Sequence, residues 1–487
     1  MVNILLFLLL IGGGVILSSR LPFPNNLGVF AVTSIASIWV LFYKHRKVVL
    51  RFGHLTWTKE ELVRHVLITG DTGSGKTTSG LHPILHQLTA SIPNWGGLVL
   101  GAKGDEHRFI TELAQTHGRE ADLIHLQVRP SGESTKWKPP HRYNLLSDRA
   151  LPWTAHAKAI VDIAASMSGG KQHAFFQSMG HIAIAKAFEL LDELGEVVTL
   201  VKAHNLITSK AQTERAVKRV KNLPSIERRI TLIDFFESTF INAKAHEQTE
   251  AVIATVKTYL GFFLDPDVAA VFSSEDPNTF SLSEVDRGAI LTVTMPQRFV
   301  TERRYIQTYL KILFYYHALR RFDLDEEVFK SKNTLFLVVD EFQTMITTAD
   351  DGISDHNVID RIRAAGVGII AAMQSEISAD PVVGERKRCV LTLNMRTRLI
   401  FRAADLEGAK ASADHIGQRE FWKPTKTSRP FKPMTYSRRK EEEYRVKPAK
   451  LMSLPDHTAI LVHPSKKFTK LRIPPRDGRG QVYSWWQ

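Results

Sequence analysis

One stretch of the chain has the residue types and the spacing of a polyphosphate-binding loop. Residues 70–77 read G-D-T-G-S-G-K-T and fit the pattern G-x-x-x-x-G-K-[ST] at every fixed position. Glycines let the backbone wrap around phosphate oxygens, and the N–H groups at the start of the following helix point at the charge. The residues predicted to bind a nucleotide are Gly70, Asp71, Thr72, Gly73, Ser74, Gly75, Lys76, Thr77 and Thr78.

Two side chains of this loop are expected to act directly on the nucleotide. Lys76 would reach the β- and γ-phosphates as a catalytic residue, and the Thr77 hydroxyl would bind Mg²⁺. The apolar run at residues 66–68 predicts a buried strand before the loop, and residues 78–88 predict a helix after it. This strand–loop–helix order is the context that the motif requires.

A second set of polar residues follows two other apolar runs. Residues 335–339 predict a buried strand that ends at Asp340 and Glu341, which is the form of a Walker B element. Asp340 would hold Mg²⁺ through its water shell, and Glu341 would polarise the attacking water as general base. The run at residues 367–373 ends at Gln374, whose amide is predicted to sense the γ-phosphate and orient water. A strand-end cap is the alternative interpretation of Gln374.

The elements that must position these residues alternate between strand and helix, which favours a parallel sheet in an α/β fold. From about residue 151 to residue 270 long helical patterns replace the strand signals and predict an inserted all-α domain. The nucleotide-binding domain is thus predicted in two parts, residues 48–150 and 271–487. Within the helical part, a basic stretch from Lys210 to Arg229 is either a solvated helix face or a contact for nucleic acid or a partner.

The first 47 residues carry two apolar runs, at residues 2–17 and 27–43. Each is near the lower limit of about 17–25 residues that a membrane-spanning helix needs. A basic cluster at residues 44–47 follows the second run, so the positive-inside rule predicts a transmembrane hairpin with the bulk of the chain in the cytoplasm. A cleaved signal peptide is the rival interpretation of the first run, which lacks the basic segment that such peptides begin with.

Composition narrows the function classes. The 487 residues carry a net charge of +14, which favours an anionic partner, either nucleic acid or the inner face of a membrane, over a generally basic surface. Cys389 is the single cysteine, which excludes an internal disulfide and a cysteine-based metal site. The sequence shows no Ser-His-Asp array, zinc site or dinucleotide-binding fingerprint.

Taken in order, these motifs resemble the type IV secretion system coupling proteins of the TraG/TraD type, which are membrane-anchored FtsK/HerA-like motor ATPases. The segments that carry the resemblance are the apolar N-terminal pair, the loop at 70–77, and residues 99–105, 143–146, 255–260, 264–268, 340–342, 374–375, 397–402 and 451–455. The resemblance implies a RecA-like P-loop ATPase domain with an inserted all-α domain and an N-terminal transmembrane hairpin. Gly101 departs from the family pattern, because the family usually has Asp there.

The resemblance also implies an activity and an assembly. It implies a homo-hexamer in the bacterial inner membrane, with ATP and Mg²⁺ bound at each subunit boundary. ATP hydrolysis would deliver single-stranded DNA, or a DNA-bound relaxase, to the components of a type IV secretion channel. Arg398, with Arg396 as second choice, matches the catalytic arginine that reaches the neighbouring subunit's nucleotide.

Two other functions stay open at the level of the sequence. One is a different FtsK/HerA-like membrane DNA translocase, although segregation motors do not insert an all-α domain between the phosphate-binding loop and the Walker B strand. The other is a docking scaffold for protein effectors whose ATP site gates assembly without driving transport. Intact catalytic residues are compatible with both a scaffold and a motor.

Overall fold

The computed structural model describes residues 47–104, 106–167, 174–276, 279–429 and 432–486. The predicted transmembrane hairpin at residues 1–47 therefore lies outside the described residues, except for Lys47. Within those ranges, no helix combines the length and the apolar character that crossing a bilayer requires. Residues 49–487 pack as one compact unit, which contains the nucleotide-binding residues.

The strands of the described ranges form one large sheet and two small ones. In chain order they are β1 (Val48–Phe52), β2 (Leu55–Thr58), β3 (Val66–Thr69), β4 (Gly96–Gly101), β5 (Leu123–Gln127), β6 (Ile290–Thr294), β7 (Leu335–Asp340), β8 (Val367–Met373), β9 (Thr397–Ile400), β10 (Gln418–Arg429), β11 (Lys432–Tyr444), β12 (Thr458–Val462) and β13 (Phe468–Arg472). The large sheet has nine strands in the order β13-β12-β9-β3-β8-β7-β4-β6-β5. Strands β9 to β5 of this order pair in parallel, whereas β12 is antiparallel to both of its neighbours.

The register of the parallel strands brings their carboxyl ends together. Thr69, which precedes the phosphate-binding loop, lies opposite Met373 on β8 and Ile400 on β9. Asp340 at the end of β7 lies opposite Gly101 at the end of β4. Strands β3, β7 and β8 are buried on both faces, which explains why they appear in the sequence as continuous apolar runs.

Helices cover both faces of the sheet, and a run of consecutive helices also lies between β5 and β6 in the chain. In chain order they are α1 (Lys59–Leu62), α2 (His82–Ser91), α3 (Glu106–Thr116), α4 (Trp153–Met167), α5 (Ala174–Glu193), α6 (Leu200–Thr208), α7 (Lys210–Lys221), α8 (Glu227–Phe236), α9 (His246–Leu260), α10 (Pro266–Phe272), α11 (Val300–Leu319), α12 (Glu326–Ser331), α13 (Asp355–Ala364), α14 (Asp380–Asn394), α15 (Leu406–Ile416) and α16 (Pro448–Met452). Side chains of α2 and α3 pack on one face of the sheet, and those of α11 and α13 pack on the other. Successive strand residues point to opposite faces, so the central strands β3, β4, β6, β7 and β8 contribute to both cores.

Helices α4 to α10 form the helical block between β5 and β6, where the sequence predicts an all-α domain. Its buried side chains belong to the same core as those of α11 and the adjoining face of the sheet. The Tyr305 hydroxyl of α11 donates a hydrogen bond to the Ile160 carbonyl of α4, with an O···O distance of 2.7 Å. Because one core continues from the block into the sheet, packing alone sets no boundary at residues 151 or 270.

The two small sheets were hardly visible in the sequence pattern. Strands β1 and β2 pair with each other, and so do β10 and β11. Strands β10 and β11 lie in a segment rich in Lys, Arg and Pro. Pro424 and Pro433 lie inside these strands, and proline within a run argues against a strand in a sequence.

Candidate functional site

The phosphate-binding loop leaves the end of β3 and turns tightly on itself. The Asp71 carbonyl accepts hydrogen bonds from Ser74 Oγ at 2.8 Å and from Lys76 Nζ at 3.0 Å. Gly75 has a φ of +100°, in the left-handed region where a side chain would be strained. The Lys76 side chain therefore folds back over the loop and contacts its second residue.

Lys76 lies in a site dominated by carboxylates. Its side chain is buried, and burial lowers the pKa of Lys76, while the charges of Glu341, Asp340 and Asp71 oppose that shift. The ends of strands β7 and β3 bring these acidic residues to the site. The Lys76 ammonium therefore already lies where it can contact the oxygens of a phosphate bound to the loop.

Thr77 and Asp340 form an oxygen-donor pair suited to Mg²⁺. Thr77 Oγ1 donates a hydrogen bond to Asp340 Oδ2 at 3.0 Å. Burial, and next the charge of Glu341, raise the pKa of Asp340, while the Thr77 hydrogen bond opposes them. A nearby cation would stabilise the ionised carboxylate, and Mg²⁺ prefers one or two carboxylates together with substrate phosphates. The two residues therefore fit the predicted ion.

Glu341 begins the turn after β7, and its backbone is strained. Its φ of +57° places a non-glycine residue in the left-handed region, which is uncommon and concentrated at functional sites. Gln343 Nε2 donates a hydrogen bond to Glu341 Oε2 at 2.5 Å, so this carboxylate is oriented as well as turned away from the strand. Gln343 was not expected from the sequence, where its only signal is its place two residues after Glu341.

Gln374 directly follows β8, the strand that lies between β3 and β7. Its backbone carbonyl accepts a hydrogen bond from the Gly70 N–H at 3.2 Å, so the two strand ends are joined at the start of the loop. The residue is exposed. The structure thus brings Gln374 to the loop, and its sensing role stays a prediction.

Arg402 is a second residue of the site whose role the sequence did not reveal. It follows β9, and its Nε and Nη2 contact the Asp71 carboxylate at 2.9 and 3.2 Å. The Asp71 N–H in turn donates to the Arg402 carbonyl at 2.7 Å, and Arg402 Nη1 lies 2.7 Å from Asp456 Oδ1. Arg402 therefore clamps the second residue of the phosphate-binding loop to the end of β9.

A buried polar network supports the chain that follows Glu341. Lys311 on α11 donates to the Met345 carbonyl and to Asp355 Oδ2, each at 2.5 Å. Asp355 Oδ2 also accepts the Thr347 N–H at 2.8 Å, and Asp355 Oδ1 accepts the Tyr315 hydroxyl at 2.7 Å. Helices α11 and α13 therefore fix both sides of the loop that begins with the proposed general base.

The region containing most of these residues matches a known family. The model of the type IV secretion-system coupling protein DNA-binding domain matches residues 146–474. The chain belongs to this family. The resemblance deduced from the sequence motifs is confirmed.

Solved structures of the bacterial conjugative coupling protein TrwB have the same fold as this coupling protein. The unbound TrwBdeltaN70 structure has a TM-score of 0.65 at 16% identity, over 91% of this chain and 92% of that one. TrwB with ADP and Mg²⁺ has a TM-score of 0.62 at 15% identity, over 91% of each chain. TrwB with the ATP analogue ADPNP has a TM-score of 0.63 at 16% identity, over 91% and 92%.

At this level of identity the likeness establishes the fold alone. It confirms the RecA-like α/β domain with a helical domain that the sequence predicted. No curated protein matches this coupling protein.

The two arginines predicted to act between subunits lie in different surroundings. Arg398 of this coupling protein is 2% exposed, and its Nη1 lies 2.5 Å from Glu376 Oε1. Its Nε and Nη2 donate to the carbonyls of Met395 and Thr392. All the contacts of Arg398 are thus buried contacts within its own subunit, and its action on a neighbouring subunit's nucleotide stays a prediction. Arg396, the second choice, is exposed.

Gly101, the departure from the family pattern, lies close to a carboxylate. A Cβ built on Gly101 would lie 1.8 Å from Glu106 Oε1, so any side chain at position 101 would displace Glu106. Glu106 lines a cavity of about 340 Å³ together with Thr77 and Asp340. In this coupling protein the space beside the end of β4 is therefore filled by a carboxylate from α3.

Proposed function

We propose that this coupling protein hydrolyses ATP and uses the energy to deliver single-stranded DNA, or a DNA-bound relaxase, to a type IV secretion channel. The observation that carries the proposal is the meeting of Lys76, Thr77, Asp340 and Glu341 at one edge of the sheet. Two of these side chains are in direct contact, Thr77 with Asp340. The TrwB structures with ADP and Mg²⁺ and with an ATP analogue support the same cofactors for this chain.

In the proposed reaction each side chain has a separate task. Lys76 holds the β- and γ-phosphates, and Thr77 with Asp340 would hold Mg²⁺, which neutralises charge on the phosphate oxygens. Glu341, oriented by Gln343, accepts the proton of the attacking water. Gln374, at the start of the loop, orients that water against the γ-phosphate.

The proposed assembly is a homo-hexamer anchored in the bacterial inner membrane. Support for the anchor comes from the two apolar runs in residues 1–47 and the basic cluster that follows them. Support for an anionic substrate comes from the net charge of +14 and from the DNA-binding family model. The ring and the bacterial membrane follow from the family resemblance.

Removing a buried and an exposed arginine is expected to have different consequences. Arg398→Ala would leave Glu376 buried without its partner and is expected to lower the free energy of unfolding by about 3–5 kcal/mol. Arg396→Ala removes an exposed side chain, so stability is expected to change by about 0.5 kcal/mol or less. Urea unfolding of both variants beside the wild type measures the difference.

Exposed arginines are the ones on which to test the proposed contact with the neighbouring subunit's nucleotide. Besides Arg396, these include Arg361 and Arg363 in the last turn of α13. Replacing the acting arginine by alanine is expected to lower turnover by about 10³–10⁵-fold with little change in ATP affinity. If none of the three variants reduces turnover, and Arg398→Ala does so while staying folded, the acting arginine is Arg398 in spite of its burial.

Within the described part of the chain, the basic stretch from Lys210 to Arg229 contains cations that pair with carboxylates and cations that do not. Its later members contact carboxylates: Arg219 with Glu196 at 2.5 Å, and Lys221 with Glu237 at 2.6 Å. Among the described residues, Arg215 and Lys218 form no ion pair; both are exposed, three residues apart on one face of α7. These two cations are the better candidates for contact with DNA phosphates.

A pair of double variants with the same net charge tests this assignment. Arg215→Gln/Lys218→Gln is expected to weaken single-stranded DNA binding and to reduce the salt dependence, by about 0.7 in the log–log slope for each phosphate that is no longer neutralised. Arg219→Gln/Lys221→Gln removes the same charge from paired residues and is expected to leave the slope near the wild-type value. Fluorescence anisotropy over a salt series gives both slopes. Equal slopes for the two variants would show a general charge effect instead of a site.

A further inference from the structure

The 473–486 segment, which follows β13, runs along the first turn after the phosphate-binding loop. The Arg476 N–H donates to the Thr78 carbonyl at 2.9 Å, and the Ile473 N–H donates to the His457 carbonyl at 2.8 Å. The Arg476 carbonyl lies 2.7 Å from His82 Nδ1 on α2. Backbone contacts on both sides therefore fix this segment against the nucleotide-binding element.

His457, just before β12, connects the loop to an aromatic group. Its N–H donates to the Ser74 carbonyl at 2.8 Å, and its Nδ1 lies 2.8 Å from Ser79 Oγ. A Cβ built on Gly75 would lie 2.7 Å from His457 Nδ1, so the imidazole fits directly over the loop glycine. His457 itself has a φ of +58°, an uncommon conformation that these contacts maintain.

Two tryptophans of the 473–486 segment surround this imidazole. The ring centroids of Trp485 and Trp486 lie 5.2 and 5.3 Å from that of His457. The Arg472 guanidinium lies 4.0 Å from the Trp486 ring centre, and Tyr483 stacks on Trp485 at 5.7 Å. Trp486 is thus covered by a cation, whereas Trp485 is 57% exposed.

The base of a bound nucleotide is a suitable stacking partner for an exposed tryptophan that lies beside the phosphate-binding loop. A nucleotide with its phosphates on residues 70–77 has its base one ribose away from them, and every base offers a flat π-face. Base–aromatic stacking contributes about 1–3 kcal/mol and does not depend on base-specific hydrogen bonds. We propose that Trp485, held by His457 and Tyr483, is the surface against which the purine base of the bound nucleotide stacks.

This inference rests on the proposed nucleotide-binding function and adds to it the part of the site that binds the base. It assigns a role to a segment far from the loop in sequence, since Ser79 and His457 are 378 residues apart. It also accounts for an exposed tryptophan in a position that the Walker motifs leave unexplained. The affinity that stacking supplies should appear for nucleotides with a base and not for inorganic phosphates.

Binding of MgADP, MgGDP and magnesium pyrophosphate to the full-length protein in detergent tests the proposal. Trp485→Ala is expected to lower the affinity for ADP and for GDP about 5- to 150-fold, which corresponds to the stacking energy. The affinity for pyrophosphate is expected to stay unchanged. Trp485→Phe keeps an aromatic face and is expected to restore most of the ADP affinity. Trp422→Ala on β10, where the indole is 63% exposed, is the matched control and is expected to bind all three as the wild type does.

The outcomes separate this proposal from the one on which it rests. If Trp485→Ala binds ADP as tightly as the wild type, the stacking assignment is wrong. If Trp485→Ala loses the same factor in affinity for ADP and for pyrophosphate, Trp485 only supports the fold of the loop, and the assignment is also wrong. If the wild type binds neither pyrophosphate nor ADP, the nucleotide site itself is refuted, and the base-binding surface with it.

Discussion

Replacing Glu341 by glutamine is expected to lower the kcat for ATP hydrolysis by about 10²–10⁴-fold, while ATP still binds. The substitution keeps the shape of the side chain and removes its ability to accept a proton. Glu341 is singled out by its left-handed backbone and by the 2.5 Å hydrogen bond from Gln343, which together aim one carboxylate away from the strand. Phosphate release and ATP affinity, measured on the same preparation, separate chemistry from binding.

A surface glutamate provides the control for this variant. Glu326 is an exposed residue on α12, and its one ion pair with a described residue is a surface pair with Lys330. Glu326→Gln is expected to leave both turnover and ATP affinity at wild-type values. Turnover of Glu341→Gln within about threefold of the wild type would place the general base elsewhere, since a catalytic base contributes far more than that.

Removing Lys311 from its buried ion pair is expected to cost about 3–5 kcal/mol of unfolding free energy. Lys311 and Asp355 are fully buried, and their charged groups lie 2.5 Å apart. Burial lowers the pKa of Lys311, and Asp355 opposes that shift. Lys311→Met would leave the Asp355 carboxylate in the core without its countercharge. Urea unfolding of the variant and the wild type measures the decrease.

Two further variants show whether the decrease comes from the broken pair. Lys311→Met/Asp355→Leu removes both charges, so it is expected to recover part of the stability that the single variant lacks. Lys330→Met breaks a surface pair of the same type and is expected to change stability by about 1 kcal/mol or less. An unfolding midpoint of Lys311→Met equal to that of Lys330→Met would mean that the network behind the Walker B loop contributes no special stability.

Local sequence patterns predicted the central strands and the residues at their ends. Strands β3, β7 and β8 are buried on both faces, so each appears as an apolar run. Asp340 and Gln374 directly follow the runs of β7 and β8, and Thr69 alone separates the run of β3 from Gly70. Carboxyl ends of parallel strands meet at one edge of a sheet, which is why the motifs could be assembled into one site from the sequence. The sequence therefore identified the residues of this site that lie at or next to the carboxyl ends of parallel strands.

The contacts that the sequence did not reveal depend on side chains from distant parts of the chain. The burial of Arg398 depends on Glu376, which comes from the turn after β8, and strand pattern alone cannot show that the two meet. The clamp on Asp71 comes from Arg402, 331 residues later. The basic stretch of α7 likewise appeared uniform, because the carboxylates that pair with its later members lie outside α7.

The decisive measurement for the proposed motor is ATP turnover by the full-length protein, with and without single-stranded DNA, beside Lys76→Ala. We expect that DNA stimulates turnover by the wild type, that raising the salt concentration weakens this stimulation, and that Lys76→Ala is inactive in both conditions. Turnover that is independent of DNA at every salt concentration would contradict the motor and favour an ATP-gated scaffold for protein effectors. Turnover that survives Lys76→Ala would contradict the nucleotide site itself.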